Sequence, residues 1–417
     1  MAEWDHILGS IGLQLMLAGY SVTLVGYARR KNSANTLMML ASTYWIGALL
    51  FWAAGHALAR GASAGGVVGG EGFFRVVAGY RGAGTGSEWW FHMLATTLAG
   101  SVAVGGMVGR ARFGPGLVFI ALVVLLMAFV AHWTWNPQGW LFALGFHDFG
   151  GSATVHLAGG SAALAATWAL GPRAGRFTRE GLPNAVPAHN LPMSVIGMWL
   201  FGVGVVGLLL GRMVEQEQYG EVGLFGPGES VGGLLPFGAA AANVLLAQGA
   251  GALAALSLAW GRYGKPDVAL TVNGAVAGLV SASGAADVAS PVYATLVGGI
   301  GGLLVVAAAS WLDRWEMDDV GGVVPVHGFG GAWGTLATGL IHPSEGLLSL
   351  AGPRLLGVQA LGTAAVAAAT FGASGLICLA LVRYAGLRAT AEDEADGLDH
   401  SEHRNESYPD FQRSELK

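Results

Sequence analysis

The chain has 417 residues, of which 53% are hydrophobic and only 11% charged, with a net charge of −5. Soluble domains carry about 25% charged residues. Together with a mean hydropathy of +0.54 and apolar runs of bilayer-crossing length, this excludes a water-soluble globular protein and points to an all-α polytopic protein embedded in a lipid bilayer. The single cysteine, Cys378, lies in an apolar run; it excludes a disulfide framework and a cysteine metal site and reads as a small buried hydrophobe.

The first residues, MAEWDHILGS, lack a basic stretch ahead of the apolar run, so no cleaved signal peptide is expected. Runs of about 20 apolar residues can cross a bilayer. Eleven fall near 9–28, 37–58, 88–109, 115–134, 151–171, 191–211, 231–259, 268–287, 291–311, 321–341 and 357–383. The eighth is the most dilute, with Ser281, Ser283 and Gly284 inside it. A Gly-rich stretch, 60–87, joins the second and third runs as an irregular surface loop. The chain therefore divides into a transmembrane domain, 1–383, and a tail, 384–417. Of its 21 Lys and Arg, all but Arg60, Arg75, Arg81, Arg212 and Arg354 fall on one side of the expected spans. Positive loops stay inside, so the N-terminus is expected outside and the C-terminus in the cytoplasm of a multi-pass cell-membrane protein. The acidic loop beginning at Glu215 then lies outside.

Two stretches match without a gap. DFGGSATVHLAGG starts at Asp148 and DVGGVVPVHGFGG at Asp319, both reading Asp-x-Gly-Gly-x-x-x-Val-His-x-x-Gly-Gly. They open the fifth and tenth spans. Five spans is an odd number, so the two helices run oppositely through the bilayer. Spans 1–5 and 6–10 form an inverted repeat, with the eleventh left over. Such repeats place binding sites near the midplane, where the halves meet. The competing reading is convergent helix-start chemistry: an acidic cap followed by glycines for close packing.

His156 and His327 lie eight residues into their motifs, about 12 Å along a helix axis. Antiparallel helices bring both rings to similar depth, where an ionisable group is costly and marks a pathway. Neither motif offers a second His, Cys or carboxylate at ligand spacing, so a metal is not expected. A neutral imidazole both donates and accepts, which suits proton relay or contact with a small polar solute. Asp148 reads as a helix cap that also favours a cation at the outer mouth. For Asp318 and Asp319, on the other side, capping suffices. Among the tryptophans of AHWTWNPQGW, Trp133 and Trp140 fit interfacial anchoring, and Trp135, beside Asp148, fits a cation–π site.

With those residues in place the chain resembles the ammonium transporter family, Amt/Mep/Rh, and its Amt branch in particular. The resemblance covers nearly the whole length: YARRKNS, GRARF, HWTW, HDFGG with its VH, NGAVAGLV, DDVGGVVPVHG, and the tail GLRATAEDEADGLDHSEHRNESYPDF. It implies a homotrimer of eleven-helix protomers, each with its own pore. Ammonium would be recruited outside at Trp135, deprotonated near Asp148 and passed as ammonia, with or without the proton, along a twin-histidine pair, His156 and His327. It further implies that the tail couples to a PII-type regulatory protein; the plainer reading of Glu392, Asp393, Glu394, Asp396 and Asp399 is a solvated acidic face. No cofactor, nucleic acid or enzymatic step is implied, and no nucleophile–base set appears.

The chain departs from the family pattern at the outer gate. Ala95 and Val206 map where two stacked phenylalanines are expected, with Phe91, Phe201 or Trp199 as substitutes. His92 stands for a common Gln, Gly207 for a usual Asn, and Leu210 or a neighbour for the recruitment-site Ser. His92 can thereby form a different binding group. Two alternatives to ammonium transport follow: an ammonium sensor acting through a partner, or a pore for another small solute such as carbon dioxide or methylammonium.

Overall fold

The computed structural model describes residues 2–74, 85–218 and 237–409. Outside them lie Arg75, Arg81, Arg413 and Lys417 of the charge asymmetry, part of the Gly-rich loop, most of the acidic loop and residues 231–236 of the seventh expected span.

Each of the eleven expected spans contains a helix. These are α1 (Ala2–Tyr27), α2 (Ser33–Leu50, continued by the π-helical turn Phe51–Gly55 and by His56–Arg60), α3 (Thr85–Gly105) and α4 (Phe113–Trp135). Next come α5 (the π-helical turn Ser152–Leu157, then Ala158–Leu170), α6 (Leu191–Gln218), α7 (Phe237–Tyr263) and α8 (Val268–Ser283). The last are α9 (Pro291–Arg314), α10 (the π-helical turn Val324–Phe329, then Gly330–Ile341) and α11 (Arg354–Ala385). The loop after α2 carries a short antiparallel pair, β1 (Ser63–Ala64) and β2 (Val68–Gly69), and the tail forms α12 (Ala391–Asp396) and α13 (Leu398–His403).

Among the described residues, seven helices are long and apolar enough to cross a membrane by composition alone, and α3, α5, α8 and α10 are not among them. For α8 the reason is length, an apolar helix of only 16 residues; for the others enclosure also counts. Every residue from Ser152 to Ala163 in α5 and from Val272 to Ser283 in α8 is buried. A helix surrounded by other helices meets side chains where an outer one meets lipid, so small and polar residues replace leucine there. The dilution of the eighth span by serines has this cause: Ser281 and Ser283 are buried, and the helix ends at Ser283.

The halves meet through glycines. A Cβ on Gly12 of α1 would stand 2.5 Å from the Cα of Gly207 of α6, and one on Gly207 2.4 Å from the Cα of Gly12. These are the first helices of the two halves. The fifth helices cross in the same way: a Cβ on Gly160 would lie 2.2 Å from the nitrogen of Gly328, and one on Gly331 would lie 2.7 Å from the nitrogen of Leu157. Gly331 occupies the motif position of Gly160, and Gly328 that of Leu157, so the two contacts are twins under the repeat.

The face that carries the tail is laced by ion pairs. Asp318 is buried and accepts from Arg173 Nε at 2.7 Å and Nη2 at 2.8 Å and from the Arg173 backbone at 2.9 Å, with Arg110 Nη1 at 3.3 Å. Burial pushes this carboxyl up, but the Arg173 hydrogen bonds and the charges of Arg110 and Arg173 outweigh it and hold it well below the usual carboxylate range. The tail folds back on the same face. Asp399 accepts from the backbone of Ala34 at 3.0 Å and Asn35 at 2.8 Å, at the start of α2. Glu402 does so for Phe113 at 2.8 Å, at the start of α4. Glu394 takes Ala174 N at 2.8 Å and pairs with Arg388 at 2.5 Å. Of the five tail carboxylates read as a solvated face, Glu394 and Asp399 point inward, while Glu392 and Asp396 are exposed.

Candidate functional site

The two motifs start alike. Gly151 and its counterpart Gly322 have φ of 78° and 72°, a left-handed conformation that glycine takes at no steric cost; the second motif adds Gly321 at 77°, where Gly150 has no positive φ. This reversal lets the preceding aspartate fold back over the first helical turn. Asp148 is buried and accepts from Ala153 N at 3.1 and 3.2 Å, Thr154 N at 2.8 Å and Thr154 Oγ1 at 2.6 Å. Asp319 accepts from Val324 N at 3.1 Å, and its Oδ1 is buried without a hydrogen-bond partner. The difference is chemical: six residues after Asp319 stands Pro325, which has neither an N–H nor a hydroxyl to give.

The histidines meet where the two helices cross. His156 Nδ1 and His327 Nδ1 are 3.2 Å apart, the ring centroids 5.1 Å apart, and the planes 30° from parallel. Both are buried. One Nδ1 must carry a proton and the other accept it, so the pair shares a single proton along that line. Phe201 of α6 lies 6.1 Å from each ring, and Tyr20 of α1 packs edge-on to His327 at 5.5 Å. Next to His327 is a narrow cavity of about 20 Å³ bordered by Tyr20, Phe201, Asn273 and Val326, room for about one water-sized molecule. Tyr27, Asn273, Gly321 and Gly322 also line a wider cavity of about 260 Å³ bordered by Asp313, Asp318 and Asp319 on the tail face. The two cavities share that wall, and the smaller one borders His327.

Towards the opposite face the site is filled. Trp135 ends α4 and donates through Nε1 to the Asp148 carbonyl at 2.7 Å. The guanidinium of Arg212 lies over the indole, 4.4 Å from Cζ to the ring centroid. Arg212 Nε donates to the Phe149 carbonyl at 3.0 Å, and its Nη1 pairs closely with Glu215. Glu215 is also gripped by His92 Nε2, and the His92 ring lies 6.1 Å from Trp135.

The Ammonium Transporter Family model matches residues 6–408. The chain belongs to that family. It is 33% identical to the Archaeoglobus fulgidus ammonium transporter Amt2 over 430 aligned positions, covering 98% of this chain and 88% of the relative, and 32% identical to Amt2 of Haloferax mediterranei, covering 95% and 87%. Among solved structures it resembles a "Sensor Amt Protein" (TM-score 0.87, 26% identity, 97% and 98% covered) and, in fold, Candida albicans Mep2 (TM-score 0.81, 24% identity, 94% and 87% covered). These likenesses span the helices and the tail together.

Within this family member, the residues mapped to the outer gate take distinct places. Ala95 is fully buried on α3 and Val206 half-buried on α6. Of the named substitutes, Phe201 faces both histidines, whereas Trp199 is 62% exposed on the outside of the bundle. Phe91 is fully buried, its ring 5.5 Å from His92 and 6.1 Å from His6.

Sequence reasoning missed Arg212 and Glu215. The expected sixth span stops at residue 211 and leaves both to the loop, but α6 runs on to Gln218 and turns both inward, 5% and 1% exposed. Their spacing of three residues with Met213 and Val214 between them was the available signal: opposite charges on one face of a continuing helix. Glu88, His92 and Glu215 bring three ligand-type atoms within 4.8 Å of one another. Arg60 sits on Glu88 at 3.1 Å and Arg212 on Glu215, so guanidinium groups already supply the positive charge that a metal would bring.

Proposed function

We propose that this chain moves ammonium across the cell membrane by carrying ammonia past His156 and His327, after NH4+ has given up its proton near Asp148. The observation that carries this reading is the Nδ1–Nδ1 contact of the two buried imidazoles, 3.2 Å, at the crossing of the repeated helices. Bare NH4+ in such a place would cost on the order of 20 kcal/mol by the Born estimate. Ammonia is neutral, accepts one hydrogen bond and donates three, and can exchange partners along a pair that itself donates and accepts. K+, similar in size, has no proton to lose and is rejected by the same desolvation cost. In this reading the tail face is cytoplasmic, as the Lys and Arg distribution requires. The protomer works as a homotrimer, and the docked tail, through Glu394 and Asp399, gives a PII-type regulatory protein a handle on α2 and on the loop after α5.

The test is an ammonium pulse on proteoliposomes holding the full chain, read as current and as internal pH. The intact protein is expected to respond, and His156→Ala to lose at least about tenfold of the response, the weight of one buried hydrogen bond to a polar solute. No response from the intact protein overturns transport. A second reading, ammonium sensing, is favoured by the filled site at Trp135 and by the likeness to the sensor structure; saturable binding without flux would establish it.

A further inference from the structure

We propose that Arg212 is a tethered cation occupying the Trp135 face, so that ammonium can use that face only by displacing the guanidinium. This rests on the reading of ammonium as the solute. The guanidinium carbon lies 4.4 Å from the indole centroid, inside the range where the ring quadrupole attracts a cation. Trp135 cannot turn its face elsewhere, because Nε1 is bound to the Asp148 carbonyl. Arg212 is held from both ends, by the Phe149 carbonyl and by Glu215.

Two differences separate this resident from an ammonium ion. A guanidinium keeps its charge at any accessible pH, so it cannot leave by giving up a proton. It is also covalently present at every moment, so an incoming cation competes with a partner of very high local concentration. The apparent affinity of the face is then lowered by the fraction of time Arg212 is away. Glu215 is the point of exchange, because His92 and Arg212 hold the same carboxylate from two sides. A cation arriving beside Glu215 competes with Arg212 for that charge and thereby loosens it from the indole. Arg212 thus sets how much ammonium is needed before the pore is engaged.

The experiment uses the full chain in lipid nanodiscs, with ammonium binding measured by calorimetry and folding checked by size exclusion and unfolding midpoint. R212Q/E215Q removes the tethered cation and its counter-charge together. It is expected to bind ammonium at least about tenfold more tightly than the wild type, the scale of a desolvated cation–π contact. Adding W135L to that variant should abolish the gain, and R212K, which keeps a tethered cation, should bind as weakly as the wild type. If R212Q/E215Q does not fold, R212M is read in the same way, with W135L as its control. Unchanged affinity in the folded variant overturns the proposal, as does a gain that survives W135L. Absence of flux in the wild type would remove the transport reading and leave this binding comparison standing.

Discussion

The two motifs share a left-handed turn at their second glycine, Gly151 and Gly322, and differ in what their aspartates hold. Asp148 gathers two backbone N–H groups and a hydroxyl, and the indole of Trp135 is tied to its own carbonyl. Asp319 accepts from Val324 N, has no hydroxyl donor among the described residues, and borders the cavity on the tail face. A repeated sequence fixes the glycine reversal and the place of the histidine at the helix crossing; the residue six places on, Thr154 or Pro325, decides how many donors the carboxylate gathers. The largest expected effect exploits that difference. Asp148→Asn removes the charge that strengthens the bonds from two backbone N–H groups and a hydroxyl and should lower ammonium-dependent flux at least about a hundredfold, the loss of about 3 kcal/mol from charge-assisted bonds. Asp319→Asn should leave flux within about threefold, the scale of a single exposed-side bond. Equal losses in the two variants would erase the distinction.

The residues just ahead of the aspartates carry the comparison further. Asp318 stands one place before Asp319, and His147 one place before Asp148. Each reaches into the opposite half: Asp318 to Arg110 and Arg173, His147 to Asp287 at 3.0 Å. Asp318→Asn leaves two buried guanidinium groups without their counter-charge and should cost about 3–5 kcal/mol of stability, the usual penalty for breaking a buried pair, read as a lowered unfolding midpoint. The pH dependence has a definite sign. A carboxyl held below its unfolded value of about 3.9 stabilises the fold fully above that pH and loses the contribution as acid protonates it. The wild type should therefore lose stability as the pH falls below about 4, and Asp318→Asn should lose less over the same interval.

Much of this was legible in the sequence because it is carried by pattern. Apolar length located the eleven helices, and the thirteen-residue repeat located His156, His327, Asp148 and the inversion. Its glycines proved to be the contact points of the helices, Gly160 on Gly328 and Gly331 on Leu157. Trp135 was found beside Asp148 for the same reason. What escaped was chemistry that depends on where a helix ends. Hydropathy stops at a charge, so Arg212 and Glu215 were assigned to a loop, although a charged residue facing its partner inside a bundle continues a helix as well as leucine does. The inward turn of Glu394 and Asp399 escaped for a related reason: an acidic run has no period that separates a solvated face from one that caps the helices of another segment. The gate positions Ala95 and Val206 came from alignment, whereas Phe201 lies beside both histidines and Phe91 beside His92.

The smallest expected effect lies at Asp287, the partner of His147, which stands where Asp318 does in the second motif. Asp287 is buried, yet its Oδ2 has no hydrogen-bond partner while Oδ1 meets His147 Nε2. His147 is half-buried and flanked by His342 at 5.4 Å between ring centroids. Among the described residues no guanidinium pairs with this carboxylate, and an amide oxygen can accept from His147 in the same place. Asp287→Asn should therefore change the unfolding midpoint by the equivalent of about 1 kcal/mol or less, against the several expected for Asp318→Asn. A loss as large as that of Asp318 would mean that His147 carries a positive charge and that both halves are anchored by ion pairs. A small one leaves a single charged anchor, on the tail face, where Asp318 joins the loop ahead of the second motif to Arg110 and Arg173 of the first half.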